Sequence, residues 1–188
     1  MGNFMKTILA SLLLPCLSMH TLELSCQEET LHIYLCSRLT EAAKQWNDII
    51  SEELDAEFTL FRPQDVNLDA VSANEMDYAI YQADFNGMNQ SDILLVLPPY
   101  GRNCAWEIGW FCGRQKPSIA YVEAEGDWLH DAMVKGGLTA IITSDPILYN
   151  ILVNDPATSA KSYLIPSKQD LGRIIKRIGV RIGVRLDI

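Results

Sequence analysis

The sequence of 188 residues contains few of the side chains that metal centres and disulfide frameworks require. Its three histidines, His20, His32 and His130, do not stand at metal-ligand spacing. Its five cysteines are odd in number and irregularly spaced, without a Cys-x-x-Cys pair, so neither a disulfide framework nor a zinc site is indicated. We therefore expect no metal and no cofactor.

Several common functional motifs are also absent. After the first predicted strand the chain reads Cys36-Ser37-Arg38-Leu39 instead of a glycine-rich dinucleotide fingerprint. There is no Walker phosphate loop and no Gly-x-Ser-x-Gly elbow, and with histidine scarce a serine hydrolase is not indicated. The net charge of −9 argues against a general polyanion binder, so we expect no nucleic-acid partner.

Long hydrophobic runs are missing except for a short one near the N-terminus. The apolar run after Lys6 is interrupted by Pro15 and is too short for a transmembrane helix, so we expect no stable membrane insertion. It is similar to the start of a secretory signal but lacks an Ala-x-Ala cleavage site. Two interpretations stay open: residues 1–28 are a leader of an exported protein, or they are an extra segment before a cytoplasmic domain spanning residues 29–188.

From Leu31 onward, short apolar runs alternate with amphipathic segments, a pattern typical of a parallel sheet flanked by helices. It predicts one α/β domain with a flavodoxin-like, doubly wound, mainly parallel five-stranded sheet and helices on both faces. The predicted strands cover residues 32–36, 58–61, 93–97, 118–122 and 139–143, with 162–165 as a further short candidate. Helices are predicted from about residue 40 and over 74–88, 105–114 and 128–134, with another beginning at Asp145-Pro146.

Basic residues are concentrated at the C-terminal end. Seven of the 15 Lys and Arg residues follow residue 160. The stretch from Arg173 to Arg185 fits either a basic amphipathic helix or an alternating strand. We interpret it as a final packing element with a solvated face.

One acidic residue, Glu107, follows a turn-rich loop directly after the predicted strand 93–97. In parallel α/β sheets, ligands bind at the loops that follow the strands. The pattern places Glu107 in the first turn of a helix, whose positive end favours an ionised carboxylate. Glu107 is therefore a candidate nucleophile or base. Cys104, three residues earlier, is interpreted as a small loop or core residue, with a reactive thiol as the alternative.

A second acid, Asp84, lies near the end of the predicted helix 74–88. Gly87, three residues later, permits the left-handed conformation that closes a helix. Cleavage of an N-glycosidic bond needs a carboxylate to trap the anomeric carbon and a second group to help the leaving base. Asp84 is the candidate for that second role.

These segments together resemble the nucleoside 2-deoxyribosyltransferase family over residues 31–125. The nucleophile stretch is matched by Glu107-Ile108-Gly109-Trp110, and a substrate-binding Asp-x-Asn-Gly is matched by Asp84-Phe85-Asn86-Gly87. The resemblance implies a flavodoxin-like fold, no cofactor, a nucleoside or nucleotide as small-molecule partner, and a homo-oligomer. Eight further residues are predicted to bind substrate, from the resemblance or from their position next to the motifs: Tyr34, Gln64, Asn86, Asp92, Gly101, Arg102, Asn103 and Asn150.

The chain departs from the family pattern at Gly101, where many members carry an Asp. Arg102 and Asn103 beside it are candidates to compensate. Asp92 is a secondary candidate that we expect to cap the start of the third strand. Asn150 matches an Asn that family members contribute to a neighbouring subunit's site. This match is the reason for predicting a homo-oligomer.

Three functions stay open. The first is transfer of a 2-deoxyribosyl group between nucleobases through an intermediate covalently linked to Glu107. The second is hydrolysis of the N-glycosidic bond of deoxynucleoside 5′-monophosphates, with Arg102 as the phosphate contact, since Arg suits bidentate phosphate binding. The third is a non-catalytic domain that binds a nucleotide-like ligand.

Overall fold

In the part of the chain that the structure describes, the parallel sheet is built from six short strands. The computed structural model describes residues 30–183, so the predicted N-terminal segment lies outside the described residues. The strand order is β2-β1-β3-β4-β5-β6, and each neighbouring pair is parallel. The strands are β1 (His32–Cys36), β2 (Thr59–Phe61), β3 (Ile93–Val96), β4 (Ser118–Tyr121), β5 (Ala140–Thr143) and β6 (Ser162–Leu164).

This order confirms the predicted doubly wound fold class. The main difference is the strand number, because β6 pairs with β5 and extends the expected five-stranded sheet to six. Strand order reverses between β1 and β3: the chain leaves β1 toward β2 on one side and leaves β3 toward β4 on the other. Such a switch point opens a crevice at the carboxyl ends of the two strands.

Alternate residues of each strand pack against opposite layers of helices. Ile33 and Leu35 of β1 belong to one buried apolar cluster, whereas Tyr34 and Cys36 belong to the other. Alternation of this kind is inherent in the strand, because successive side chains point to opposite faces. It determines that Tyr34 and Cys36 face the same layer as the helix that follows β3.

Within residues 30–183, six α-helices cover the sheet. The predicted helix starts at positions 40 and 145 are confirmed: the Thr40 side chain accepts a hydrogen bond from the Ala43 N–H, and the Asp145 side chain accepts from the N–H groups of Ile147 and Leu148. The helices are α1 (Glu41–Leu54), α2 (Met76–Gln90), α3 (Arg102–Gly113), α4 (Ala132–Gly137), α5 (Pro146–Asn154) and α6 (Leu171–Arg181).

Two predicted helix boundaries were wrong in ways that affect the site. Helix α3 starts at Arg102, three residues earlier than expected, with Gly101 as its N-cap. The predicted helix over 128–134 is instead a 3-10 turn, Asp127–His130, followed by α4, which the Asp131 side chain caps. In both regions, the residue types by themselves are compatible with either a loop or a helix.

Gly87 does not close α2, which continues to Gln90. A Cβ atom at Gly87 would stand 2.5 Å from the Phe61 ring, well inside contact distance. The glycine is therefore needed for close packing of α2 against the end of β2, and the predicted left-handed conformation was wrong.

Residues 173–181 of the basic C-terminal stretch lie in α6, which packs against α1. Leu171, Ile175 and Ile178 are buried on its inner side. This agrees with its interpretation as a packing element. Among residues 30–183, no helix has the length and apolar character needed to cross a bilayer.

Candidate active site

Glu107 lies in the second turn of α3, on the side facing the sheet. Its side chain is only 7% exposed. Because α3 begins at Arg102, Glu107 is not in the first turn as predicted, and the helix macrodipole, whose effect fades beyond that turn, contributes little to it. Burial becomes the dominant influence on its charge state.

The pKa of Glu107 is raised from its usual value, chiefly because burial penalises the charged form. A nearby negative charge, Asp84, raises it further. Hydrogen bonds from the Cys36 thiol and the Tyr34 hydroxyl act in the opposite direction. The predicted stabilisation of the ionised form was therefore wrong: burial outweighs the two side chains from β1 that donate to the carboxylate.

Tyr34 is held rigidly next to Glu107. Its side chain is fully buried, and its ring stacks on Phe61 at a centroid distance of 5.2 Å. Its hydroxyl donates to Glu107 Oε1 at 3.3 Å. Burial, followed by the negative charge of Glu107, raises the pKa of Tyr34 well above its usual range, so the hydroxyl keeps its proton and stays a donor.

This contact gives a first testable expectation. Tyr34→Phe keeps the stacked ring but removes the donor, so the pKa of Glu107 should rise further and the acid limb of the pH profile should move to higher pH. A hydrogen bond to a charged group is worth about 1.5–3 kcal/mol, which corresponds to at least a tenfold loss of kcat/KM near neutral pH. The measurement is kcat/KM against pH; a lowered melting temperature with an unmoved acid limb would instead assign Tyr34 a structural role only.

Asp84 faces the same cavity as Glu107. The cavity has a volume of about 370 Å³ and is lined by Asp77, Ile80, Tyr81, Asp84, Met88, Asn103, Trp106 and Glu107. Asp84 is half-buried, and this burial raises its pKa to about 6 from the ordinary 3.8. A carboxyl group with this pKa is protonated in weakly acidic solution and can donate a proton there.

Sequence reasoning missed the aromatic residues of this cavity. Tyr81 is 48% exposed and Trp106 is 50% exposed, although both line the cavity next to carboxylates. Exposed aromatic faces offer a stacking surface for a planar base. Helical spacing could have identified Tyr81, because it lies three residues before Asp84 and so on the same face of α2.

Four of the predicted site residues are brought together. Asp84, Asn103 and Glu107 line the cavity, and Tyr34 bonds to Glu107 behind it. Gly101 caps the helix that carries two of them. Arg102 is exposed at the first position of that helix.

Two other predicted residues lie away from the cavity. Asn86 is exposed and only two residues from Asp84, so it points to a different face of α2. Asp92 accepts a hydrogen bond from the His32 N–H at 2.9 Å, at the amino ends of β1 and β3. The Asp92 side chain therefore caps the start of β1 and not that of β3, as had been expected. That edge of the sheet is opposite to the one from which α3 starts, so Asp92 does not join this site.

Gln64 and Asn150 have other neighbours in this chain. The Gln64 side-chain amide accepts from Asn47 at 2.9 Å and donates to Asp48 at 2.8 Å. Asn150 is exposed on α5, where its carbonyl oxygen accepts from Asn154 at 2.7 Å. Neither lines the cavity of Glu107, and the role of Asn150 in a neighbouring subunit stays a prediction.

Two buried thiols complete the surroundings of Glu107. Cys36 ends β1 and Cys104 lies in the first turn of α3, and each is 1% exposed. One ligand atom from each cysteine and from Glu107 lie within 4.8 Å of one another. The cysteine spacing did not predict this cluster, since the sheet brings together residues that are distant in the chain.

A second, larger cavity of about 490 Å³ lies at the carboxyl ends of β1, β3 and β4, next to Arg38 and Tyr100. Glu107 and Asp84 do not line it. Glu123, Glu125 and Asp127 do, which makes it unfavourable for an anionic group. The smaller cavity is the candidate active site because it holds two carboxyl groups with raised pKa values, Asp84 and Glu107.

Gly101 gives an expectation about stability. Its backbone is extended, with φ −107°, and a Cβ there would meet only Arg38 atoms at 3.9 Å. Gly101→Asp therefore adds an N-cap carboxylate to α3 without strain, and should raise the free energy of unfolding by about 0.5 kcal/mol. Denaturant unfolding measures this. Gly101→Ala, which fits but cannot cap, is the control and should lower stability; equal effects of the two substitutions would contradict the capping argument.

Fold and site together define a doubly wound α/β domain with a carboxylate site between α2 and α3, next to the carboxyl end of β1. A family model described as nucleoside 2-deoxyribosyltransferase matches residues 33–158. The chain belongs to the nucleoside 2-deoxyribosyltransferase family, as the motifs predicted. No curated protein matches the chain.

Two solved structures are similar in fold, both at 21% sequence identity and a TM-score of 0.49. One is a conserved protein from Enterococcus faecalis V583, for which the match covers 79% of this chain and 98% of the other. The other is a 2-deoxyribosyltransferase from the psychrotolerant bacterium Bacillus psychrosaccharolyticus, with coverage of 71% and 99%.

Proposed function

We propose that this protein transfers a 2-deoxyribosyl group from one nucleobase to another through a glycosyl ester on Glu107. The observation that carries the proposal is the position of Glu107: buried, hydrogen-bonded by Tyr34, and sharing a cavity with Asp84. Family membership supports the same reaction class. The substrate would be a small-molecule nucleoside whose base lies between the exposed rings of the cavity.

In the first step, a Glu107 oxygen attacks the anomeric carbon of the sugar. The N-glycosidic bond breaks and its electron pair leaves with the base, which takes the Asp84 proton. In the second step, a nitrogen of the acceptor base attacks the same carbon, the ester bond to Glu107 breaks, and the acceptor's proton returns to Asp84. Two displacements retain the configuration at the anomeric carbon.

Tyr34 supports both steps without reacting. Its hydroxyl keeps Glu107 Oε1 oriented and favours the carboxylate form needed for attack. The same donor favours Glu107 as leaving group in the second step, because negative charge returns to the oxygen that it contacts.

The test is incubation of the protein with a 2-deoxynucleoside, with and without a second free base, followed by chromatography. Appearance of the new deoxynucleoside only when the second base is present supports transfer. Release of free deoxyribose at the same rate in both samples would show that the reaction is hydrolysis and not transfer. Absence of turnover across a panel of deoxynucleosides and deoxynucleotides would favour the non-catalytic binding domain.

Hydrolysis of deoxynucleoside 5′-monophosphates is the second candidate, and Arg102 is the observation that favours it. Arg102 is exposed at the first position of α3, where backbone N–H groups and the helix dipole also attract an anion. If Arg102 binds the 5′-phosphate, Arg102→Ala should reduce turnover of the monophosphate far more than turnover of the unphosphorylated nucleoside. Equal effects on the two substrates would contradict the assignment of Arg102 as the phosphate contact.

We also propose that the active form is a homo-oligomer in which Asn150 enters a neighbouring subunit's site. On α5, the apolar residues Ile147 and Ile151 are exposed, at 76% and 39%, next to Asn150. Apolar surface of this kind is typical of a subunit interface. Closed dimers are the commonest assembly.

Subunit mixing tests this assembly. Asn150→Ala and Glu107→Gln should each be poorly active alone, whereas a mixture of the two should recover part of the activity, because one site in a mixed dimer receives both intact residues. Mixing should be followed by light scattering and activity together. A fully active, monodisperse monomer would contradict the shared site.

A further inference from the structure

We propose that Cys36, Cys104 and Glu107 form a binding site for a soft divalent metal ion of the Zn²⁺ class, and that the bound ion blocks Glu107. Metal binding itself does not depend on the proposed function; the inhibitory consequence rests on it. The three ligand atoms lie within 4.8 Å of one another, and all three side chains are buried.

The distances are close to those of a formed site. Zinc binds thiolate sulfur at about 2.3 Å and carboxylate oxygen at about 2.0–2.2 Å, so two sulfurs on a tetrahedral ion stand about 3.8 Å apart. The observed upper limit of 4.8 Å therefore requires movements of about 1 Å or less at the side-chain ends. Three protein ligands leave a fourth position for water from the cavity.

The backbone holds the three ligands in place. Cys36 is the last residue of β1, and Cys104 and Glu107 are three residues apart on one face of α3. The Gly101 N–H donates to Cys104 Sγ at 3.3 Å. A backbone donor to sulfur orients the ligand and stabilises thiolate, as outer contacts do in metal sites.

The kind of ion follows from the donors. Two sulfurs select Zn²⁺ or Cd²⁺ over Mg²⁺ and Ca²⁺, which prefer sites made of oxygen. Glu107 lines the 370 Å³ cavity, so an ion can reach the thiols from that side. On binding, the two thiol protons pass to solvent and a Glu107 oxygen donates its lone pair to the metal. That oxygen is then no longer free to attack the sugar.

The experiment is a Cd²⁺ titration of the reduced, full-length protein, following the ultraviolet thiolate-to-cadmium charge-transfer band, with Zn²⁺ as competitor. The wild type should bind one more equivalent than Cys36→Ser or Cys104→Ser. Loss of outer contacts alone costs about 10–100-fold in affinity, so loss of a direct ligand should weaken this site by more than about 100-fold. Cys112→Ser is the matched control, because Cys112 is an exposed free thiol on the same helix, and it should titrate like the wild type.

A second measurement uses only the wild type, in case the serine variants fold poorly. Because Cys36 and Cys104 are buried, alkylation is followed in mild denaturant, under conditions where the metal-free protein reacts at both thiols. There Zn²⁺ should slow alkylation of Cys36 and Cys104, but not of Cys112, as mapped by mass spectrometry. Unchanged titration in both serine variants, or no protection by Zn²⁺, would overturn the site.

Activity provides the third measurement. Zn²⁺ should inhibit base exchange, a chelator should reverse the inhibition, and Mg²⁺ at the same concentration should have no effect. If the protein turns over no nucleoside, the proposed function fails while the titration still decides the metal site. If it turns over nucleosides and binds no Cd²⁺ at these thiols, the metal site fails and the proposed function stands.

Discussion

Glu107→Gln should reduce base exchange by at least about 10³-fold, because loss of a covalent nucleophile costs several orders of magnitude in rate. Glutamine has nearly the same size, and its carbonyl oxygen can still accept the Tyr34 hydrogen bond of 3.3 Å. The variant should keep its fold, and it should be at least as stable at neutral pH because it no longer carries a buried charge. Initial rates, together with thermal unfolding, check both expectations.

The control for this substitution is Glu52→Gln, since Glu52 is exposed on α1, away from the cavity. It should have wild-type activity. The wild type, quenched during turnover and digested, should show a deoxyribosyl group on the peptide that contains Glu107. Turnover by Glu107→Gln within tenfold of the wild type, or a labelled peptide elsewhere, would reject the covalent mechanism.

Asp84→Asn should have the second-largest effect, about 10²-fold or more on natural nucleosides, in line with the usual contribution of a general acid. An activated nitrophenyl deoxyriboside has a leaving group that needs no proton, so its rate should fall by much less. Parallel assays of the two substrates make the comparison. Equal losses would assign Asp84 a structural role, and Asp69→Asn, at an exposed acid outside the cavity, serves as the control.

The pH dependence follows from the pKa of Asp84, about 6. If the protonated form is the acid, kcat/KM should fall as pH rises through about 6, and Asp84→Asn should lose this limb. Glu107 must be ionised, and its pKa is also raised, so activity should fall again on the acid side. The profile of kcat/KM against pH should therefore rise as Glu107 ionises and fall as Asp84 loses its proton, near pH 6.

Asp84→Asn should raise stability although it lowers activity. Because its pKa is raised from 3.8 to about 6, the folded state binds this proton more tightly than the unfolded state, and stability falls as pH rises between those values. Above pH 6, Asp84→Asn should stabilise the fold by on the order of 1 kcal/mol, allowing for solvent screening of a half-exposed group. Denaturant unfolding at pH 4 and pH 7 measures this; equal changes at the two pH values would contradict it.

The fold class and most strand positions were predictable because short apolar runs and helical spacing are local properties. Thr40 and Asp145-Pro146 marked helix starts correctly, since capping depends only on neighbouring residues. The start of α3 was not predictable, because Gly101-Arg102-Asn103 favours a loop by composition. In the folded chain, after β3, the helix nevertheless begins at Arg102.

The candidate site was likewise predictable only where its residues are marked by local sequence. Its two carboxyl residues, Glu107 and Asp84, were identified from the sequence, because motif spacing and a position after a strand are visible in the chain. Asn86 does not line the cavity that Asp84 lines, because a four-residue motif does not say which of its residues share a helix face.

The charge state of Glu107 was decided by the tertiary structure alone. Its pKa is raised by burial and opposed by donors from β1, a strand far away in sequence. The same long-range pairing of β1 with β3 brings Cys36 next to Cys104. Local patterns determine which elements form; the electrostatics of a buried site depend on which elements the sheet brings together, and a parallel sheet joins segments that are distant along the chain.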